Sequence, residues 1–303
     1  MSLDVYLYGM AVLSTIQRCE SALPRGSGYA EIAETHLCPG GEAMNAAMIL
    51  SGLGLRTALA GPHWGSATGA VLGSYARRYD IDVSGVSNDE GFPGVRDLVL
   101  VGGDERAVLG WFGEFFSDPV RRWGEPDAEA IARARIVAID PYFPGSSERA
   151  GHLAQSSNKP YVTIDCAYDG RLPRGAAATV ISREYRQQHY PGLSDEALFV
   201  AYAEHGSGLS IFTAGSEPIR FGRAGTRGEL FPTFQVDVKS TLGAGDTFRA
   251  GVVFALLNGF GDRECVRFAA GLAALLCQHL PIADHVPSLA DVEAFLASYS
   301  PRV

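Results

Sequence analysis

The sequence predicts an α/β fold built on a mostly parallel sheet, from two observations. Short apolar runs that read as buried strands alternate with segments of helical period, and small-residue turns stand where strand patterns hand over to helix patterns. No internal repeat or low-complexity tract interrupts this rhythm, and the Gly/Pro/Ser-rich stretches are too short to link domains. The 303 residues therefore read as one domain, residues 1–303.

The first strand is Val5–Tyr8, ended by Gly9. Residues 30–37 alternate small or apolar with polar side chains. Residues 39–54 place Gly40 and Gly41 ahead of an Ala-rich helix whose buried stripe is Ala46, Ala47, Leu50 and Leu53. Residues 57–60 form the next buried strand. Residues 97–101, a turn at 102–105 and residues 106–111 read as strand, turn and strand, and with residues 30–37 they suggest one small separate sheet or edge strands of the main one. Residues 136–140, 161–165, 179–181 and 209–212 complete the buried runs, and ligands in such sheets bind beyond the carboxyl ends of the strands.

Residues 236–248 carry the chemistry. Gly243, Ala244 and Gly245 are small enough for their amides to converge on an anion, and the following helix adds positive charge at its N-terminus. Asp246 follows at once, so one turn offers a phosphoryl cradle and an acceptor for the proton of an attacking hydroxyl. The competing reading makes Asp246 a helix cap bonded to the amide of Arg249. Asn45, one turn into the earlier helix, has an amide that both donates to and accepts from a sugar hydroxyl, or it is a solvent-facing helix residue.

Composition excludes several classes. A net charge of -9 and a pI near 5.3 argue against nucleic acid or an anionic membrane as partner. No run approaches a membrane span, and Met1 to Asp4 shows no basic leader. Cys19, Cys38, Cys166, Cys265 and Cys277 are odd in number and scattered, which fits reduced thiols of a cytoplasmic protein. The histidines lack metal-ligand spacing, and His63 beside Trp64 reads as a packed loop residue. There is no Walker loop, no dinucleotide fingerprint after the first strand and no hydrolase elbow around Ser210.

In this order, Gly40-Gly41 with Asn45 and the run Thr241 to Asp246 resemble the two signatures of the ribokinase-like (PfkB) carbohydrate kinase family. Gly9, the Thr213-Ala214-Gly215 strand end and a closing helix at residues 287–295 extend the resemblance over nearly the whole chain. It implies a three-layer α/β/α sandwich with a small β lid at about residues 11–38 and 94–116, in a homodimer paired through the lid. It also implies a sugar held by Gly40, Gly41 and Asn45 with its hydroxyl facing Asp246. ATP would lie over Gly243 to Gly245, with adenosine near Thr213, Gly215 and residues 267–279, and Ser182 and Thr241 on the nucleotide side. Mg²⁺ would be held mainly through phosphates and water, and monovalent-cation activation is left open. The helix N-terminus is expected to lower the Asp246 pKa.

The departures from the family pattern share a theme. Ser14, Ser66 and Ser240 stand where most members carry Asp, Trp64 replaces a Gly, and Glu184 lies one place early in the segment that orders water around magnesium. Loss of a carboxylate at Ser14 predicts tolerance of an anionic substrate, with Arg96 as its contact. The pattern around Ser182 and the Thr241-Leu242 wording resemble ketohexokinase-like and sulfofructose-kinase-like members, implying a ketose phosphorylated on a primary hydroxyl. Ribose, 2-keto-3-deoxygluconate and nucleosides stay open, as does a sugar- or nucleotide-binding protein without catalysis.

Overall fold

Strand β1 (Val5–Tyr8) shows how the sheet is made. Its four residues are all buried, Val5 and Leu7 joining one apolar cluster and Tyr6 and Tyr8 another, because successive side chains leave opposite faces of a strand. A sheet coated on both faces needs helices above and below, and it has them. Helices Glu42–Gly52, Ala244–Leu257 and Asp262–Cys277 pack on the first face, and Ser146–Ser156 packs on the second. The computed structural model describes residues 3–103 and 105–299 of the chain. Expectations placed on Met1, Ser2 and Asp104 fall outside the described residues.

In chain order the further strands are β2 (Val12–Cys19), β3 (Ile32–Gly40), β4 (Thr57–Ala60), β5 (Trp64–Gly65), β6 (Asn88–Asp89), β7 (Arg96–Gly102), β8 (Glu105–Gly110), β9 (Ile136–Ile139), β10 (Tyr161–Ile164), β11 (Ala178–Ile181), β12 (Leu209–Phe212), β13 (Ile219–Gly222) and β14 (Glu229–Phe231). The main sheet runs β14-β13-β12-β11-β10-β9-β1-β4, parallel from β12 to β4 and antiparallel at β13 and β14. The buried runs expected from the sequence are its parallel strands.

A second sheet, β3-β2-β7-β8, stands apart as the lid. The edge-strand alternative for this region therefore does not hold. Strand β2, which no alternation singled out, is the lid's centre, antiparallel to β3 and parallel to β7. Its register sets Ser14 beside Cys38 and Asp97. No helix among the described residues is long and apolar enough to cross a membrane.

Candidate active site

The site forms where the lid meets the carboxyl ends of the main strands. At Gly9, just past β1, an added Cβ would lie 2.0 Å from Asp140 Oδ2, so only glycine lets that carboxylate reach the chain turn. Asp140, beyond β9, accepts from the Met10 amide at 2.6 Å and pairs with Arg249, both side chains fully buried. The Met10 carbonyl in turn accepts the amides of Ala43 and Met44 at 3.1 Å, tying the start of helix Glu42–Gly52 to the sheet. Gly41, at φ 87°, caps that helix where a Cβ would sit 2.6 Å from the Met10 carbonyl. Gly40 is pressed onto Ser14, whose Oγ would be 2.2 Å from a Cβ.

This anchoring delivers Asn45 to Asp246. The Asn45 side chain is buried and its Nδ2 donates to Asp246 Oδ2 at 2.8 Å, so the solvent-facing alternative fails. Its Oδ1 is buried without a partner among the described residues. The capping alternative for Asp246 fails too. The N-cap of helix Ala244–Leu257 is Gly243, left-handed at φ 72° and with no side-chain cap, and Asp246 lies one turn in. Ala244 N donates to Thr241 O and Thr247 N to Gly243 O, while among the described residues the amides of Gly245 and Asp246 find no main-chain acceptor. Nothing lies within 4 Å of a Cβ placed on Gly245. The turn is thus open to an anion from outside.

Electrostatics reverse one expectation. Burial outweighs the helix N-terminus and pushes the Asp246 carboxyl up to about 6; the Asn45 bond and the Arg249 charge pull it down, while Asp140 and Asp165 push it up. Glu42, whose Oε1 accepts from Tyr142 Oη at 2.9 Å, is pushed up to about 8 by burial and then by the charges of Asp246 and Asp140. Neither Glu42 nor Tyr142 carried a signal in the sequence, since their encounter spans 100 positions.

A cavity of about 390 Å³ opens over this floor, within the usual size for a small-molecule site. Ser14, Gly40, Gly41, Glu42, Asn45, Tyr142, Gly243 and Asp246 line it, and the lid adds Ile16, Asp97, Val99, Val108, with Phe112 and Phe116 beyond. Arg96 is not among the lining residues. It is stacked 5.0 Å over the Trp111 ring, because one step along β7 turns a side chain to the other face. Asp97 faces the cavity instead. The carboxylate missing at Ser14 is supplied from the neighbouring strand, where burial pushes the Asp97 carboxyl up and the paired Ser14 pulls it down. Among the described residues no Lys, Arg or His lines the cavity, so the expected tolerance of an anionic substrate loses its basis.

The remaining candidates fall into two groups. Thr241 is exposed and its carbonyl and hydroxyl both accept from Arg106 Nη1 of the lid, at 2.7 and 3.0 Å. Ser240 Oγ accepts from Leu242 N at 3.1 Å, keeping the turn without an aspartate. Ser182 caps helix Arg183–His189 and also bonds Asp165 through both its amide and its hydroxyl. Glu184 is exposed in that helix's first turn, and its charge helps burial raise Asp165. Thr213 and Gly215 follow β12, Gly215 at φ 62° with open space around it. Ser66 Oγ donates to the Phe92 carbonyl at 3.4 Å, Trp64 is buried, and the cysteines are free. Among the described residues no group of three or more His, Cys, Asp or Glu side chains is arranged to hold a metal ion.

Comparison with known proteins matches this geometry. The pfkB family carbohydrate kinase model matches residues 3–288. A nucleoside kinase of Methanothermobacter thermautotrophicus is 27% identical over 274 residues, 86% of this chain and 85% of that protein. An ATP-dependent ribose-1-phosphate kinase of Halopiger xanaduensis is 27% identical over 293 residues, 91% of this chain and 92% of that one. In fold, Arabidopsis thaliana ribokinase, solved with ribose and ATP, superposes with a TM-score of 0.78 at 19% identity over 99% of this chain and 100% of that one. The open anion turn, the carboxylate beside it and a family match over nearly the whole length place this chain in the pfkB family of carbohydrate kinases, as a phosphotransferase with an alcohol acceptor.

Proposed function

We propose that this enzyme transfers the γ-phosphoryl group of ATP to a hydroxyl of a neutral sugar or nucleoside, with Asp246 as the base. One observation carries the reading: a carboxylate at about 6, bonded to Asn45 and facing a substrate-sized cavity, sits at an anion turn with free amides. A base of that strength is ionised near neutral pH and still accepts a proton readily. The acceptor oxygen bonds the γ-phosphorus as the bond from phosphorus to the bridging oxygen of ADP breaks, and the hydroxyl proton passes to Asp246. The free amides of Gly245 and Asp246 at the helix end stabilise the charge on the moving group. Asn45 orients the base through Nδ2.

The nucleotide side is supported by the open ground beyond β11 and β12, where Ser182, Thr213, Gly215 and Thr241 lie. Magnesium would fit beside Asp165, whose carboxyl is pushed up by burial and by the Glu184 charge and pulled down by the Ser182 bonds and the Arg186 charge, because a metal would relieve the like charge of the two carboxylates. Bound with ATP, it neutralises phosphate charge. The cavity supports a nucleoside or another sugar with an apolar appendage over a bare ketose, because Phe112, Phe116, Val99 and Val108 wall the side facing the polar floor. The name of the nucleoside kinase relative supports the same choice.

Release of ADP across a panel of ribose, fructose and adenosine tests the reading. Asp246→Asn should lower kcat by about 10²–10⁴-fold, the range for a general base, with acceptor and ATP binding retained. Tight acceptor binding by the wild type without any ADP release would favour a binding protein instead.

A further inference from the structure

Asp97 has no role in the pattern that identifies the family, yet it is the most conspicuous polar group on the cavity roof. It is buried, its Oδ1 has no hydrogen-bond partner among the described residues, and it lines the cavity. Across the cavity Asn45 Oδ1 is in the same condition. Both residues line the cavity, and a buried acceptor left unbonded is costly, so a ligand that shifts either side chain and brings a donor would relieve it. The surroundings say what kind. No cationic side chain lines the cavity, and Arg96, the neighbour with a positive charge, lies over Trp111 on the opposite face of β7. Glu42 and Asp246 already place carboxyl groups on the floor.

We propose that Asp97 is the specificity-determining residue of the acceptor site: its carboxylate accepts from a hydroxyl or amino group of the substrate, and its charge excludes substrates bearing carboxylate or phosphate beneath the lid. Ser14 stands beside the carboxylate through the pairing of β2 with β7, so the two residues act as one unit. The inference deepens the proposed function and rests on it. It also separates this chain from a kinase of ribose 1-phosphate, whose acceptor carries the anion that Asp97 repels.

The experiment uses the full chain and pairs of neutral and acidic acceptors: ribose with ribose 1-phosphate, and fructose with 2-keto-3-deoxygluconate, each also measured for binding by calorimetry. The wild type should prefer the neutral member of each pair. Asp97→Asn should raise KM for the neutral member about 10- to 100-fold, the loss of a hydrogen bond to a charged group, with kcat little changed. It should also narrow the neutral-to-acidic ratio by at least as much. Because the carboxylate is buried and half-bonded without ligand, Asp97→Asn should melt at or above the wild-type temperature. Ser14→Asp combined with Asp97→Ala, which returns the charge from the adjacent strand, should recover part of the ratio. An unchanged ratio in Asp97→Asn, or a variant that melts below the wild type, overturns the inference. A wild type that phosphorylates no member of the panel overturns the kinase reading instead, and the melting comparison still decides Asp97.

Discussion

At the scale of single residues, two carboxyl groups titrate in the accessible range and in opposite senses for function. Asp246 must be ionised to take a proton, so kcat/KM should climb as pH rises through about 6. Glu42 gains its charge only near 8, beside Asp246, and activity should fall there; Glu42→Gln should remove this alkaline limb and keep the acid one. The stability consequence has a definite sign. A carboxyl raised from 4.5 to about 8 in the folded chain stabilises it below the unfolded value and loses that contribution as pH climbs through about 8. Melting curves from pH 5 to 9 should therefore show the wild type falling relative to Glu42→Gln, and parallel curves would contradict the raised pKa. Gly243 is a second residue-scale case. An alanine there adopts a left-handed φ of 72° and brings Cβ within 2.6 Å of Ile282 Cδ1. Gly243→Ala should cost about 1–2 kcal/mol of stability in calorimetry and should weaken ATP binding.

Between elements, the lid and the anion turn are joined by one exposed arginine. Arg106, on β8, bonds Thr241 twice, ahead of the turn. Arg106→Ala should leave the melting temperature nearly unchanged, raise KM for ATP a few-fold and speed amide exchange along β8, while unaltered exchange would show that the contact does not restrain the lid. Element scale is also where sequence reading succeeded and stopped. The buried strands were legible from their apolar runs, and the two glycine-led turns from the backbone freedom they require. The face presented by β7 was not legible, because Arg96 and Asp97 differ by one position and only the pairing partner decides which of them looks inward. The anion tolerance expected from Ser14 lost its contact at Arg96 for that reason.

At the scale of the whole molecule, what stayed hidden was the buried charged partnership between distant positions. Asp140 and Arg249 are 109 residues apart, and only the wrap of the sheet brings them together. Their pair is fully enclosed, and removing one member leaves an uncompensated charge inside the protein. Arg249→Met should destabilise the fold by about 3–5 kcal/mol, whereas Asp140→Asn with Arg249→Met should recover much of it, measured by chemical denaturation. The helix holding Arg249 also holds Asp246, three residues earlier, so this pair fixes the base as well as the core.

The lid is spliced into the floor and is not hung on a flexible hinge. β3 ends at Gly40 and runs straight into helix Glu42–Gly52, and β2 begins two residues after Met10, to which that helix is tied. Raising the roof therefore tugs on the very glycines beneath the guest. Escape of the phosphorylated product and slackening of its bed would share a single clock, and a thicker solvent would slow both by the same factor.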